Sequence, residues 1–264
     1  MSTRKIVAIG GWENWRIKEW VRLPYETGPM DEEIIRLTGK DHPNFLLLAH
    51  AQPIENQERY FNTMKDIYGW KYGCDCKDLK SDKLTDTGYV QNLVDWADII
   101  YEWWWDTLNM IKLWEDTWFD EILRKAWELG KVMCGVSAWA NCRFKKCSSD
   151  ALKKFWPDQP LICVNCLWFF NWLYVPHADE PGRQESVKEL LKKEQDEIWL
   201  LFSNCAALEI VDDEYRLITS SNASNHGLEC AFWKKIYRKN WKCIEEDIEE
   251  FPEFKKLSEL YKKL

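Results

Sequence analysis

The sequence predicts an α/β fold built on a mainly parallel, doubly wound sheet, and three observations predict it. Short apolar runs recur along the chain with helix-patterned segments between them, the signature of strands joined by crossover helices. One of these runs, Lys131 to Val136, passes directly into the small-residue segment Ser137-Ala138-Trp139-Ala140-Asn141, a strand that turns sharply into a helix. The length, 264 residues, lies near the upper end of what one hydrophobic core organises, so one domain spanning 1–264 is expected.

The expected strands are Lys5 to Ile9, Asn44 to Ala49, Ala97 to Tyr101, Lys131 to Val136, Leu161 to Val164, Trp172 to Val175 and Ile198 to Ser203. Each is a short apolar run suited to a sheet covered on both faces. Between them, Glu55 to Ile67, Thr87 to Asp95, Thr107 to Leu113, Asp120 to Leu129 and Ser186 to Glu194 carry apolar residues at helical spacing, and Gly130 follows one of them as a C-cap glycine does. From Ala206 onward the pattern changes to short strands and turns, Ala206 to Val211, Tyr215 to Thr219 and Glu229 to Tyr237, which suits an antiparallel edge. A polar loop over 220–227 and a charged tail over 245–264 complete the chain.

Composition narrows the function classes. Acidic residues outnumber basic ones by 44 to 36, a formal charge of −8, which is the wrong sign for a protein that gains affinity by neutralising phosphates. Nucleic acid is therefore not an expected partner, and the absence of a long apolar run argues against a membrane partner. Met1 to Lys5 leads straight into a short strand rather than the apolar region of a signal peptide. Ten cysteines in that setting imply reduced thiols and a cytoplasmic location. Cys163-x-x-Cys166 and Cys74-x-Cys76 lack the second ligand pair that a structural zinc site needs, so no metal or cofactor is expected. Gly10-Gly11 lacks the remainder of a dinucleotide fingerprint. The pairs Lys145-Lys146 and Lys153-Lys154 read as solvated helix faces.

Ser137 falls at the strand-to-helix turn, where a hydroxyl is lifted above the sheet edge and backbone N–H groups can meet a developing oxyanion. A serine needs a base to become a nucleophile. Of the four histidines, His177 follows the run Leu173-Tyr174-Val175 and Pro176, at a carboxyl strand end where open α/β sheets build their sites. His50 also ends a strand and competes with it, whereas His42 and His226 sit in polar loops.

Gly135-x-Ser137-Ala138-x-Ala140-Asn141, Ser149-Asp150 and Pro176-His177-Ala178-Asp179 together resemble the dipeptidase E (aspartyl dipeptidase) family of serine peptidases, peptidase family S51, and its cyanophycinase relatives. Ile9-Gly10-Gly11, Pro29-Met30-Asp31 and Asp106-Thr107 agree with the pattern, and the likeness covers residues 4 to about 240. It implies a flavodoxin-like three-layer fold similar to class I glutamine amidotransferases, with Ser137 as nucleophile, His177 as base and Asp150 as third member. Asp158 and Asp179 are alternatives for that third place. It further implies a short peptide substrate with an acidic first residue, whose carboxylate Arg183 would hold through its planar fork. Trp104, in the oxyanion loop, and Ala138, next to the nucleophile, complete the expected substrate-binding set. A homodimer is compatible with this reading.

The chain departs from the family in one place above all. Where the family has a glycine triplet whose N–H groups help form the oxyanion hole, this sequence has Trp103-Trp104-Trp105. Trp12, Trp15, Trp118, Trp139, Trp168, Trp199 and Trp241 likewise stand where glycine is expected, and tryptophans outnumber glycines by 18 to 11. Weak or absent turnover is the expectation, since losing oxyanion donors costs roughly 10²- to 10³-fold. The other reading is a catalytically inactive binding protein on the same scaffold. Trp96 reads as an ordinary core aromatic.

Overall fold

The computed structural model describes the chain apart from residues 1, 12–16, 19–20, 23–25, 51, 105, 155, 157, 194–196, 221–230, 250–252 and 264, and apart from the side chains of 17, 18, 21, 22, 103, 104, 138, 139 and 154. In chain order the elements are β1 (Lys5–Ile9), β2 (Ile17–Lys18), β3 (Val21–Arg22), α1 (Gly28–Thr38), β4 (Asn44–Leu48), α2 (Ile54–Met64), β5 (Asp75–Leu79), α3 (Thr87–Trp96) and β6 (Ile99–Trp104). They continue with α4 (Thr107–Thr117), α5 (Phe119–Glu128), β7 (Val132–Ser137), α6 (Ala138–Cys142), β8 (Phe144–Ser149), β9 (Ile162–Asn165), β10 (Phe170–Val175) and α7 (Arg183–Leu190). The last are β11 (Ile198–Phe202), β12 (Ala206–Val211), β13 (Glu214–Thr219), β14 (Trp233–Lys239), β15 (Lys242–Asp247) and β16 (Lys255–Lys256).

The expected α/β architecture is present, but its strands divide between two larger sheets. The first has the order β16-β13-β12-β1-β7-β6-β4-β5. Its β1, β7, β6, β4 and β5 run parallel, and β12, β13 and β16 extend it antiparallel. The second has the order β15-β14-β11-β10-β8-β9, with β8, β10 and β11 parallel. Ile6, Val7, Ala8 and Ile9 of β1 are wholly buried, as are Phe45 to Leu48 of β4, the pattern of strands covered on both faces. Helix α1 packs on β1 and β7, and α3 on β4 and α5.

Of the strands longer than two residues, those not anticipated are β5, β8 and β15. β5 and β15 are edge strands in which exposed residues interleave with partly buried ones, so neither forms an apolar run. β8 carries Lys145 and Lys146, which corrects their reading as a helix face; Lys145 pairs with Glu197. Among the described residues no helix is long and apolar enough to cross a membrane.

Three tryptophans occupy the left-handed backbone region. Trp118 (φ 59°) separates α4 from α5, Trp168 (φ 59°) precedes β10, and Trp241 (φ 65°) follows Asn240 (φ 51°) in the two-residue loop joining β14 to β15. That loop has the positive-φ pair of a type I′ turn, for which Asn-Gly is the preferred sequence. Trp118 is 74% and Trp241 84% exposed, so their rings return little for the roughly 1–2 kcal/mol that a left-handed non-glycine residue costs. Trp118→Gly and Trp241→Gly are each expected to stabilise the chain by up to about 1 kcal/mol after glycine's entropic cost of about 0.5–1 kcal/mol. A denaturation midpoint that falls in both variants would refute this. Trp199 differs: it is wholly buried in β11, a core aromatic rather than a residue in a glycine position. Trp96 packs on the core at its margin, with Lys77 Nζ 4.0 Å above its ring. Trp12, Trp15, Trp105, His226 and most of the 220–227 loop lie outside the described residues.

Candidate active site

Ser137 is the last residue of β7 and the first flank of α6, at φ 59° and ψ −114°. A non-glycine residue held there stores backbone strain of order 1–3 kcal/mol, of the kind concentrated at functional sites. Flanking β1 and β6 hold β7 on both sides through its length, so the elbow stands on a rigid base.

His177 follows β10 and takes φ 52°. Its backbone N–H donates to the Gly10 carbonyl at 3.0 Å, which ties the end of β10 to the end of β1. Its ring Nε2 lies 2.7 Å from Ser137 Oγ, and Nδ1 lies 2.8 Å from Asn204 Oδ1. Because an amide oxygen only accepts, Nδ1 carries the proton and Nε2 is left to accept from the serine hydroxyl. Asn204 is itself fixed: its backbone N–H and its Nδ2 donate to the two oxygens of Asp179 at 2.7 and 3.1 Å. The resulting chain is Ser137, His177, Asn204 and Asp179.

Gly10 and Gly11 gain a physical role from this arrangement. A Cβ at Gly11 would stand 1.9 Å from Asn204 Oδ1 and 2.4 Å from His177 Nδ1, and one at Gly10 would stand 2.5 Å from the Ser203 carbonyl. Only glycine lets the end of β1 pass this close beneath the imidazole.

Asp150 is not brought to His177. Its Oδ2 accepts from Arg183 Nη2 at 3.2 Å, and the same nitrogen donates to Glu180 Oε2 at 2.7 Å. The residue on His177 Nδ1 is Asn204, with Glu180 Oε1 farther away at 3.6 Å. Of the two alternatives to Asp150, Asp179 reaches the histidine through Asn204. Asn204 itself was not legible in advance. Its one sequence signal is that it closely follows β11, as His177 follows β10.

Ser137, His177, Asp150 and Arg183 line one cleft of about 200 Å³ with Thr107, Asn141, Ser148, Ser149 and Pro176. Strand β6 continues beside the elbow, with Trp103 in register with Val136 and Trp104 with Ser137. The side chains of Trp103, Trp104, Ala138 and Trp139 lie outside the description. Beneath the elbow, Glu102 in register with Gly135 is wholly buried. Burial pushes its carboxyl well above the usual range, against the opposing charge of Arg143.

His50, the competing base, is buried away from this cleft. Its Nδ1 accepts from Trp114 Nε1 at 3.1 Å and its Nε2 lies 2.7 Å from the Leu79 carbonyl. Burial lowers its pKa from 6.5 to about 4, so the unfolded chain binds a proton there that the folded chain does not. Its contribution to stability is complete above pH 6.5 and is lost as pH falls toward 4, a loss of about 3 kcal/mol. In His50→Gln, unfolding measured between pH 6.5 and 4 is expected to show a shallower decline, and an unchanged slope would refute this. Among the described residues no group of three or more His, Cys, Asp or Glu side chains is placed to hold a metal ion.

Comparison with known proteins identifies the family and the fold. The family model for peptidase family S51 matches residues 25–218. The uncharacterized peptidase YgaJ of Bacillus subtilis strain 168 is 25% identical over 197 residues, covering 74% of this chain and 80% of that protein. The crystal structure of a peptidase from an acI-B1 Actinobacterium superposes with a TM-score of 0.62 at 16% identity, covering 96% of each chain. A solved structure from Listeria monocytogenes EGD-e reaches a TM-score of 0.59 at 14% identity, covering 83% of this chain and 99% of that one. The two structures share the fold, and the family match extends from α1 through β13, taking in the elbow serine and its histidine: the chain belongs to peptidase family S51.

Proposed function

We propose that the chain is a serine-type peptidase that cleaves short peptides with Ser137 as nucleophile and His177 as general base. The observation that carries this reading is the 2.7 Å contact between Ser137 Oγ and His177 Nε2 at a strained strand-to-helix elbow. His177 takes the serine proton as Oγ attacks the peptide carbonyl, then returns it to the leaving amine, and a water activated by the same nitrogen hydrolyses the acyl-enzyme. Asn204 Oδ1 accepts from Nδ1–H throughout, so the imidazolium forms with a fixed orientation and a dipole turned toward its charge. Asp179 holds that amide in turn. Arg183, with Asp150 and Glu180 on it, borders the same cleft.

The tryptophans of β6 support the second reading, a binding protein without turnover, because Trp104 stands in register with the nucleophile. A fluorophosphonate separates the two readings, since the oxygen of an activated serine attacks phosphorus and displaces fluoride even where peptide turnover is slow. Labelling at the Ser137 peptide, absent in Ser137→Ala, is the expected result. A folded chain that stays unlabelled would remove the nucleophile and with it the peptidase proposal.

A further inference from the structure

We infer that Glu26 and Cys205 form a positioning pair for the catalytic chain, the Glu26 carboxylate holding Cys205 in the left-handed turn that aims Asn204 at His177. This rests on the peptidase reading and extends it to two residues that touch no reacting atom. Cys205 follows Asn204 at φ 59° and is wholly buried. The Ala206 N–H donates to the Ser203 carbonyl at 3.4 Å, so Asn204 and Cys205 are the central residues of a tight turn. A positive φ at the second central residue is a place that glycine ordinarily takes. A side chain kept there strains the backbone, an outlier of the kind that gathers at functional sites.

The Cys205 thiol meets a buried carboxylate: Sγ donates to Glu26 Oε2 at 3.4 Å, and Glu26 is 1% exposed. Glu26 leads into α1 and is placed from that side. Next to it, Thr27 Oγ1 donates to Asp31 Oδ2 at 2.7 Å, and the Tyr68 hydroxyl donates to Asp31 Oδ1 at 2.5 Å. Helix α1 itself packs on β1 and β7. The main chain of Cys205 is tied on the other side, its N–H donating to the Gly11 carbonyl at 2.8 Å and its carbonyl accepting from the Ser220 N–H at 3.1 Å. Gly11 is the residue whose missing Cβ leaves room for Asn204 Oδ1 and the His177 ring. Cys205 therefore joins the end of β1, the approach to α1 and, through its chain neighbour Asn204, the carboxamide on His177 Nδ1. A displacement of about 1 Å at a catalytic group can cost about 10²-fold in rate, so a small shift of this turn would be felt at the serine.

The rate of fluorophosphonate labelling at Ser137 reads the effect without depending on peptide turnover. Cys205→Gly suits the left-handed backbone and removes the thiol, and it is expected to label at least about tenfold more slowly than the unmodified chain. Glu26→Ala is expected to lose as much, and the two changes together no more than either alone, as for two halves of one contact. Cys205→Ser, whose hydroxyl can donate to Glu26, is expected to recover most of the rate. In Asn204→Ala, Cys205→Gly is expected to slow labelling no further, because the group it positions is gone. Undiminished labelling of Cys205→Gly overturns the assignment, as does an equal loss in Asn204→Ala or no recovery with serine. An unmodified chain that does not label at Ser137 overturns the peptidase reading and this one with it, whereas labelling there with an unaffected Cys205→Gly removes only the positioning role.

Discussion

A chain carrying glycine at 103, 104 and 105 is expected to hydrolyse short peptides about 10²- to 10³-fold faster than the chain with three tryptophans, the gain that a restored oxyanion donor confers. The reason lies in the register of β6 and β7. Ser137 pairs with Trp104 and Val136 with Trp103, so the end of β6 runs alongside the elbow where a tetrahedral intermediate would form. Glycines there leave room for the substrate carbonyl and let the main chain turn its N–H groups toward the oxyanion. Strand backbone that stays paired through residue 104 spends those groups on the ladder. Release of a chromophore from an aspartyl amide measures the gain, with Ser137→Ala as the zero. If the glycine chain labels at Ser137 yet hydrolyses no faster, the triplet is not what limits turnover.

The second large effect is expected at a residue that touches no reacting atom. Asn204→Ala removes the acceptor on His177 Nδ1, freeing the imidazole to rotate and to carry its proton on the nitrogen that must accept from serine. A wrong tautomer costs a serine protease about 10⁴ in kcat, and an unconstrained one is expected to cost between about 10² and that value. KM should change little, because Asn204 does not line the cleft, and the rate of phosphonate labelling should fall in parallel with kcat. Asp179→Asn is expected to cost less, since it keeps an oxygen for Asn204 Nδ2 and acts one bond farther from the ring. Wild-type kcat in Asn204→Ala would show that His177 is held without Asn204, by its backbone, Gly11 and the Glu180 carboxylate 3.6 Å from Nδ1.

Much of this site was legible before the structure because it is locally encoded. An apolar strand that ends in Gly-x-Ser before a run of small residues can scarcely do other than turn there, and β7 and α6 meet at Ser137 as that pattern requires. His177 follows a strand and a proline, and it does stand at a carboxyl strand end. The aromatic substitutions were only partly legible. Trp118, Trp168 and Trp241 do sit at positive φ, whereas Trp199 is a core residue, and nothing local distinguishes a tryptophan at a turn from one within an apolar strand.

The remainder was decided by tertiary structure, and the reason is distance along the chain. Asn204 meets His177 across 27 residues and Asp150 meets Arg183 across 33, so which carboxylate serves which partner depends on how the ends of β8, β10 and β11 converge. Sequence neighbours of a histidine supply several acids of equal merit, and only packing chooses among them. The division into two sheets was hidden as well, because β5 and β15 are edge strands with exposed polar residues and β8 carries two lysines and two serines, so all three lack the continuous apolar signature of the central strands. By itself the sequence determined the strands buried on both faces, the elbow and the serine on it, since these rest on short-range periodicity and backbone sterics. The folded structure alone decided the histidine's partner, the clearance at Gly11 and the charge around Arg183, since these rest on contacts between chain ends that no local pattern encodes.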